Sequence, residues 1–140
     1  MEREKVILRF LDKRIIKGYL DEFSPSQRSV SIEDESSKRH NVDTEELKAI
    51  FFVRSFEGDK RYKEKKSFRG TQQTGKRVFV RFKDGEAMIG YIEGDIPWKK
   101  GFFLEAEKKT GFFLRPVDGA SNNMKVFVIA TSIDDVTVVG

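Results

Sequence analysis

The sequence predicts an all-β protein made of two tandem five-stranded small barrels, and three observations point there. First, KVILRFLDKRIIKGYL (5–20) matches RVFVRFKDGEAMIGYI (77–92) at a constant offset of 72, with identities at Val6/Val78, Arg9/Arg81, Phe10/Phe82, Asp12/Asp84, Gly18/Gly90 and Tyr19/Tyr91. Second, the apolar residues in these stretches alternate with a period of two, the spacing of a strand buried on one face. Third, Asp84-Gly85 sits between two such runs, where glycine accepts the positive φ of a tight hairpin turn.

The strands follow in order. Val6, Leu8 and Phe10, and likewise Val78, Val80 and Phe82, form the inner face of a first strand in each copy. A three-residue loop then sets that face opposite Ile16, Gly18 and Leu20, and opposite Met88, Gly90 and Ile92. Loops of two or four residues would drive Lys17 inward instead. Gly18 and Gly90 fall mid-strand on the inner side, where a missing side chain permits a sharp bend. RSVSIED supplies a third strand in the first copy, and GFFLEAE and GFFLRPV are third-strand material in the second. RHNV and MKVFVIA are fourth strands, with Ser121-Asn122-Asn123 as the turn before the latter. LKAIFFV and IDDVTVV close the copies, each after a short helical turn for which Thr44 or Ser132 is the expected cap. Five short strands with a helical turn before the fifth is the layout of an SH3-like barrel.

In the last strands Leu47, Ile50, Phe52 and Val53 match Ile133, Val136, Val138 and Val139 at an offset of 86, so the second copy carries about 14 extra residues, expected within 94–114. The expected divisions are a barrel at 1–57, a basic linker at 58–76 and a second barrel with the insertion at 77–140. Ala49–Val53 and Val136–Val139 are apolar on both faces, which predicts burial on both sides. The simplest cover is the other copy, through Phe51 and the Phe79–Tyr91 surface; a second possibility is an identical surface on another chain.

VFVRFKDGEAMIGYIEG resembles the first motif of Sm-like RNA-binding barrels: an apolar strand, a turn and a bent, glycine-containing strand. LKAIFFVRSFEGDKRYKEKKSF together with GFFLRPVDGASNNMKVFV is similar to a family of bacterial proteins of unassigned function, in which such a domain occurs alone, duplicated or attached to signalling modules. That second resemblance spans nearly the whole chain, implies no particular activity and carries over no site residues.

Composition narrows the chemistry. Without cysteine there is no disulfide framework, thiolate metal site or thiol nucleophile, and His40 is the single histidine. No G-x-S-x-G motif accompanies it, and Asp12, Asp84, Glu45-Glu46 and Asp134-Asp135 lie at turns and caps. An enzyme is therefore not expected, nor any cofactor or metal. No apolar run approaches the roughly 20 residues that span a bilayer, and MEREKVILRF is charged and then alternating, so a cytoplasmic protein without membrane insertion is expected.

The net charge of +4 is unevenly spread. Residues 1–57 hold 11 Lys and Arg against 12 Asp and Glu, residues 58–77 hold 8 against 2, and residues 78–140 hold 8 against 9. The excess belongs to the connector, where Lys60, Arg61, Lys63, Lys65, Lys66 and Arg69 interleave with Tyr62 and Phe68. Such a segment suits salt-sensitive binding of RNA or single-stranded DNA, docking of an anionic partner, or simple solubility. A second candidate is a repeated outer-face pair, with Tyr19 opposite Ile7, Tyr91 opposite Phe79, and Arg9 and Arg81 diagonal to them. It would stack a base, grip a peptide or pack one copy on the other. Trp98, between Pro97 and two lysines, is either an exposed contact or a plug over a barrel end. Because each copy is close to neutral, the expected function is a binding module for a protein partner or for self-association, with nucleic acid as the alternative.

Overall fold

In a computed structural model of the chain, residues 3–24, 27–56, 76–92, 110–116 and 123–139 are described. The strands are β1 (Lys5–Phe10), β2 (Ile15–Leu20), β3 (Ser29–Asp34), β4 (Arg39–Asp43), β5 (Leu47–Val53), β6 (Lys76–Phe82), β7 (Ala87–Ile92), β8 (Gly111–Pro116), β9 (Asn123–Ile129) and β10 (Ile133–Val139). They form one antiparallel sheet in the order β10-β6-β7-β8-β9-β5-β1-β2-β3-β4, and no α-helix occurs among the described residues.

The first hairpins have the expected register. Val6 faces Gly18 and Leu8 faces Ile16, while Val78 faces Gly90 and Val80 faces Met88. Each loop has three residues: Phe10 donates its N–H to the Arg14 carbonyl (2.9 Å), and Phe82 does the same to Glu86 (2.8 Å). The third loop residue takes positive φ, 76° at Lys13 and 92° at Gly85. The preceding aspartate fixes each turn, Asp12 accepting from the Arg14 N–H and Asp84 from the Glu86 N–H.

Gly18 is buried, and the backbone of β3, paired alongside, comes close to it: an added Cβ would lie 2.6 Å from the Glu33 carbonyl oxygen. Gly18→Ala is therefore expected to lose about 2 kcal/mol in a urea melt, since the backbone clash outweighs the entropy gained by removing a glycine. A melt matching the parent would show that β3 can simply move away.

The five N-terminal strands run β5-β1-β2-β3-β4 and the five C-terminal ones β10-β6-β7-β8-β9, so the two sets share one order. The registers also correspond. Phe52 faces Val6 as Val138 faces Val78, and a bulge skips Lys48 in one set and Asp134 in the other. Tyr19 faces Glu33 as Tyr91 faces Arg115, which puts the third-strand offset at 82. The offset thus steps from 72 to 82 and then to 86. This corrects the single 14-residue excess: ten residues fall between β7 and β8 and four between β8 and β9. Asn123 also belongs to β9, opposite Val53, rather than to a turn.

The helical turns before β5 and β10 are single 3₁₀ turns, Thr44–Glu46 and Ala130–Ser132. Their caps differ from expectation. Asp43 caps the first by accepting from the Glu45 N–H, while the Thr44 hydroxyl donates to the Arg28 carbonyl. Ser132 donates to the carbonyls of Lys48 and Ile129, which ties the second turn to β5 rather than capping a helix.

β5 and β9 lie side by side at the centre of the sheet. All seven β5 residues are buried, and its two faces serve different cores. Leu47, Ile50 and Phe52 join Val6, Leu8, Phe10, Val30 and Ile32, whereas Ala49, Phe51 and Val53 join Val78, Val80, Phe82 and Leu114. β9 divides likewise, sending Phe127 and Ile129 to the first core and Val126 and Val128 to the second. The sheet is strongly curled. Phe23, just beyond β2, meets Phe127 ring to edge at 4.9 Å, although three strand spacings separate β2 from β9, roughly 14 Å in a flat sheet.

Two expectations about the last strands are corrected. Phe51 packs on the inner face of β6, against the cluster of Val78 and Val80, not on the Phe79–Tyr91 surface. Among the described residues β10 is not covered on both sides: it ends the sheet, with Thr137 exposed and Val138 39% exposed.

Candidate functional site: a cleft at the central seam

The paired strands β5 and β9 create a cleft that neither strand set makes alone. Phe52 from β5 and Phe113 from β8 form its floor, 5.9 Å apart, with Leu20 and Phe23 from the end of β2 alongside. The open volume is about 450 Å³. Alternation explains the floor, since Phe52 shares the inner face of β5 with Ile50 while Phe113 faces Phe127 across β8 and β9.

The rim carries both signs of charge: Arg3 and Lys125 against Glu4, Asp21 and Glu22. The Lys125 ammonium lies 4.7 Å above the Phe52 ring centre and 5.1 Å above that of Phe113. It meets Glu4 at only 3.7 Å. Cation–π contacts at exposed sites contribute about 0.5–1 kcal/mol each, so Lys125 is held over the two rings only weakly. Arg3 is better anchored, reaching Glu33 at 3.1 Å and Asp21 at 3.8 Å, and Asp21 also pairs with Arg39. Apolar floor and mixed rim suit an aromatic or aliphatic side chain flanked by polar chain.

The other concentrated polar group lies across the same seam. Lys48, at the β5 bulge, is 4% exposed; its ammonium meets Asp84 at 2.8 Å and Glu86 at 3.1 Å and sits 4.7 Å over the Phe82 ring. Burial raises the Asp84 pKa, but the Lys48 hydrogen bond, the Glu86 N–H and the charges of Lys48 and Lys13 outweigh it and leave Asp84 below its usual value. The cluster is fully partnered and reads as a pin between the strand sets. At the β3–β4 turn His40 meets Asp34 at 2.7 Å, and this hydrogen bond, with the Lys38 N–H next, lowers the Asp34 pKa. Among the described residues no group of three or more His, Asp or Glu is placed to hold a metal ion, and no helix is long and apolar enough to cross a membrane.

The predicted Tyr–Arg pairs do not form as expected. Tyr19 lies opposite Lys5 and Tyr91 opposite Arg77; Ile7 faces Lys17 and Phe79 faces Ile89. A three-residue loop shifts each tyrosine one pair further along the same face than was assigned. Tyr19 instead packs edge-on against Phe56 at 5.3 Å under Arg3, Arg9 covers Phe51 at 4.9 Å, and Arg81 pairs with Asp134 at 3.2 Å. Lys60, Arg61, Tyr62, Lys63, Lys65, Lys66, Phe68, Arg69 and Trp98 lie outside the described residues. The cleft residues were not singled out by sequence. The available signal was Lys125 inside the otherwise apolar MKVFVIA, a cation set in a strand whose neighbours face two ways.

Fold and site together define an all-β, single-sheet protein with an aromatic-floored cleft at its central strand pair. A family model, "Family of unknown function (DUF6982)", matches residues 2–140, and the chain belongs to that family. No curated protein and no solved structure matches it.

Proposed function

We propose that the chain is a non-enzymatic binding module that takes a segment of a partner protein in the seam cleft. The observation that carries this reading is the pairing of the Phe52–Phe113 floor with a rim of two cations and three carboxylates. A polyanion would meet Glu4, Asp21 and Glu22, whereas a peptide can match both signs. The near-neutral charge of residues 1–57 and 78–140 supports the same choice. We read each set of five strands as one SH3-like or Sm-like small barrel in a tandem repeat, which accounts for the shared order and registers. Binding of RNA or single-stranded DNA through the basic segment 58–76 is the alternative.

The test is a displayed library of random peptides panned on the full chain. Peptides carrying an aromatic residue beside mixed charges are expected to be enriched, and Lys125→Glu is expected to weaken the best of them at least tenfold, about 1.4 kcal/mol. No enrichment, or binding indifferent to Lys125→Glu, sinks the cleft as the site. Retention of nucleic acid that a high-salt wash removes would favour the alternative.

A further inference from the structure

The last strand is an unfinished wall. β10 pairs with β6 on one side and, among the described residues, with nothing on the other. Its counterpart β5 has β9 on that side, and β9 brings Phe127 and Ile129 over the first core. Under that cover Ile50 and Phe52 are 0% and 1% exposed. Val136 and Val138 stand opposite Val80 and Val78 as Ile50 and Phe52 stand opposite Leu8 and Val6. Without a strand beside them Val136 is only half-buried and Val138 is 39% exposed. On the other face Thr137 continues a cross-strand row through Phe79 to Ile89, itself 46% exposed. An unpaired edge with exposed valines on one face and an apolar row beside it on the other is a template for another strand.

We propose that β10 pairs antiparallel with β10 of a second copy, giving a two-fold dimer centred on Thr137. The alternative within the same chemistry is head-to-tail addition of another copy's β4, which precedes its 3₁₀ turn as β9 precedes the second. That strand carries Asn41 and Asp43 where β9 carries Phe127 and Ile129, so it has no apolar cover to offer. The seam register would also set Asp43 beside Asp134. In the two-fold register Val136 faces Val138 of the other copy across the axis, and each copy covers the other's exposed valines. The acidic residues Asp134 and Asp135 sit at opposite ends of the paired strands, about 20 Å apart for Asp134, beyond the screening length at physiological salt. A two-fold contact closes on itself, so assembly stops at two chains.

This surface is separate from the cleft, so the two readings fail separately. Light scattering of the full chain over a concentration series is expected to give the mass of two chains. Val138→Lys is expected to halve it while leaving circular dichroism unchanged and melting at the temperature the parent shows when diluted to single chains, because the side chain is already exposed in one chain and lysine is tolerated on a free edge. Lys125→Glu should leave the mass at two. The absence of cysteine permits a direct register check: Thr137→Cys should oxidise to a covalent dimer, since facing residues across an antiparallel pair lie within disulfide reach. Asn41→Cys/Val136→Cys, the two positions that head-to-tail addition in the seam register would set side by side, should stay monomeric on denaturing gels. A single-chain mass at every concentration, a dimer that survives Val138→Lys, or cross-linking of the Asn41→Cys/Val136→Cys protein but not of Thr137→Cys would each overturn the proposal.

Discussion

Phe127→Ala is expected to destabilise the protein by about 4 kcal/mol, the upper part of the range for large-to-small core substitutions. The ring is 0% exposed and meets Phe23 and Phe113, each at 4.9 Å, in a core otherwise built mainly from N-terminal strands. Its removal opens a void between elements that cannot close without bending β9, and β9 is also a wall of the second core. The melting temperature should fall on the order of 10 °C. Both cores should unfold in one transition, because β5 and β9 belong to each. Calorimetry checks this: two separate transitions, the later at the parent temperature, would show that the cores are energetically independent despite their shared strands.

Lys48→Met is expected to cost about 3 kcal/mol, because it leaves the Asp84 carboxylate facing a buried apolar neighbour with its main partner gone. Asp84 is 11% exposed, so water compensates only in part. Adding Asp84→Asn, which keeps the turn's acceptor for the Glu86 N–H, is expected to recover most of the loss. The pH dependence has a definite sign. In the parent the folded Asp84 pKa lies below its unfolded value, so its contribution is fully present above the unfolded value and is lost as pH falls through the lower folded one. In Lys48→Met burial becomes the dominant influence on the carboxyl and favours its protonated form in the folded state, so the cost of the substitution is largest at neutral pH and shrinks as pH falls and the carboxyl takes up a proton. Urea melts at neutral pH and an acid series read both effects. A Lys48→Met protein as stable as the parent at neutral pH, or a cost that does not shrink in acid, would show that the ion cluster is incidental to the seam.

Local pattern carried much of the fold. The exclusion of Lys17 from the inner face set the β1–β2 register, and the structure keeps it there, half-buried, with its ammonium on the Phe56 carbonyl at 2.9 Å. The same reasoning placed Tyr19 and Tyr91 on the outer face but named the wrong partners: the three-residue loop, counted through, sets Tyr19 opposite Lys5 and Tyr91 opposite Arg77. The double-sided apolar run of β5 correctly signalled two buried faces. Its neighbour, β9, could not be read from sequence, since strand pairing across more than 70 residues leaves no local trace. For that reason the cleft stayed hidden: Phe52 and Phe113 are ordinary strand phenylalanines until β5 and β9 are laid together. Lys48 was obscured differently. A lysine in LKAIFFV looks like an outward residue, and only the bulge at that position turns it toward Asp84.

The shared central strands also bear on how the chain is made. During synthesis β5 leaves the ribosome with its partner β9 still some 70 residues away, from Val53 to Asn123. At ordinary translation rates of about 5–20 residues per second that wait lasts roughly 4 to 14 seconds. Throughout it Ala49, Phe51 and Val53 have no second core to enter, and the first core lacks Phe127 and Ile129. The nascent N-terminal strands are therefore a sticky intermediate, not a finished domain, and the Lys- and Arg-rich stretch that emerges next adds a net positive charge of six to that intermediate, which works against its association with other copies before any covering strand exists.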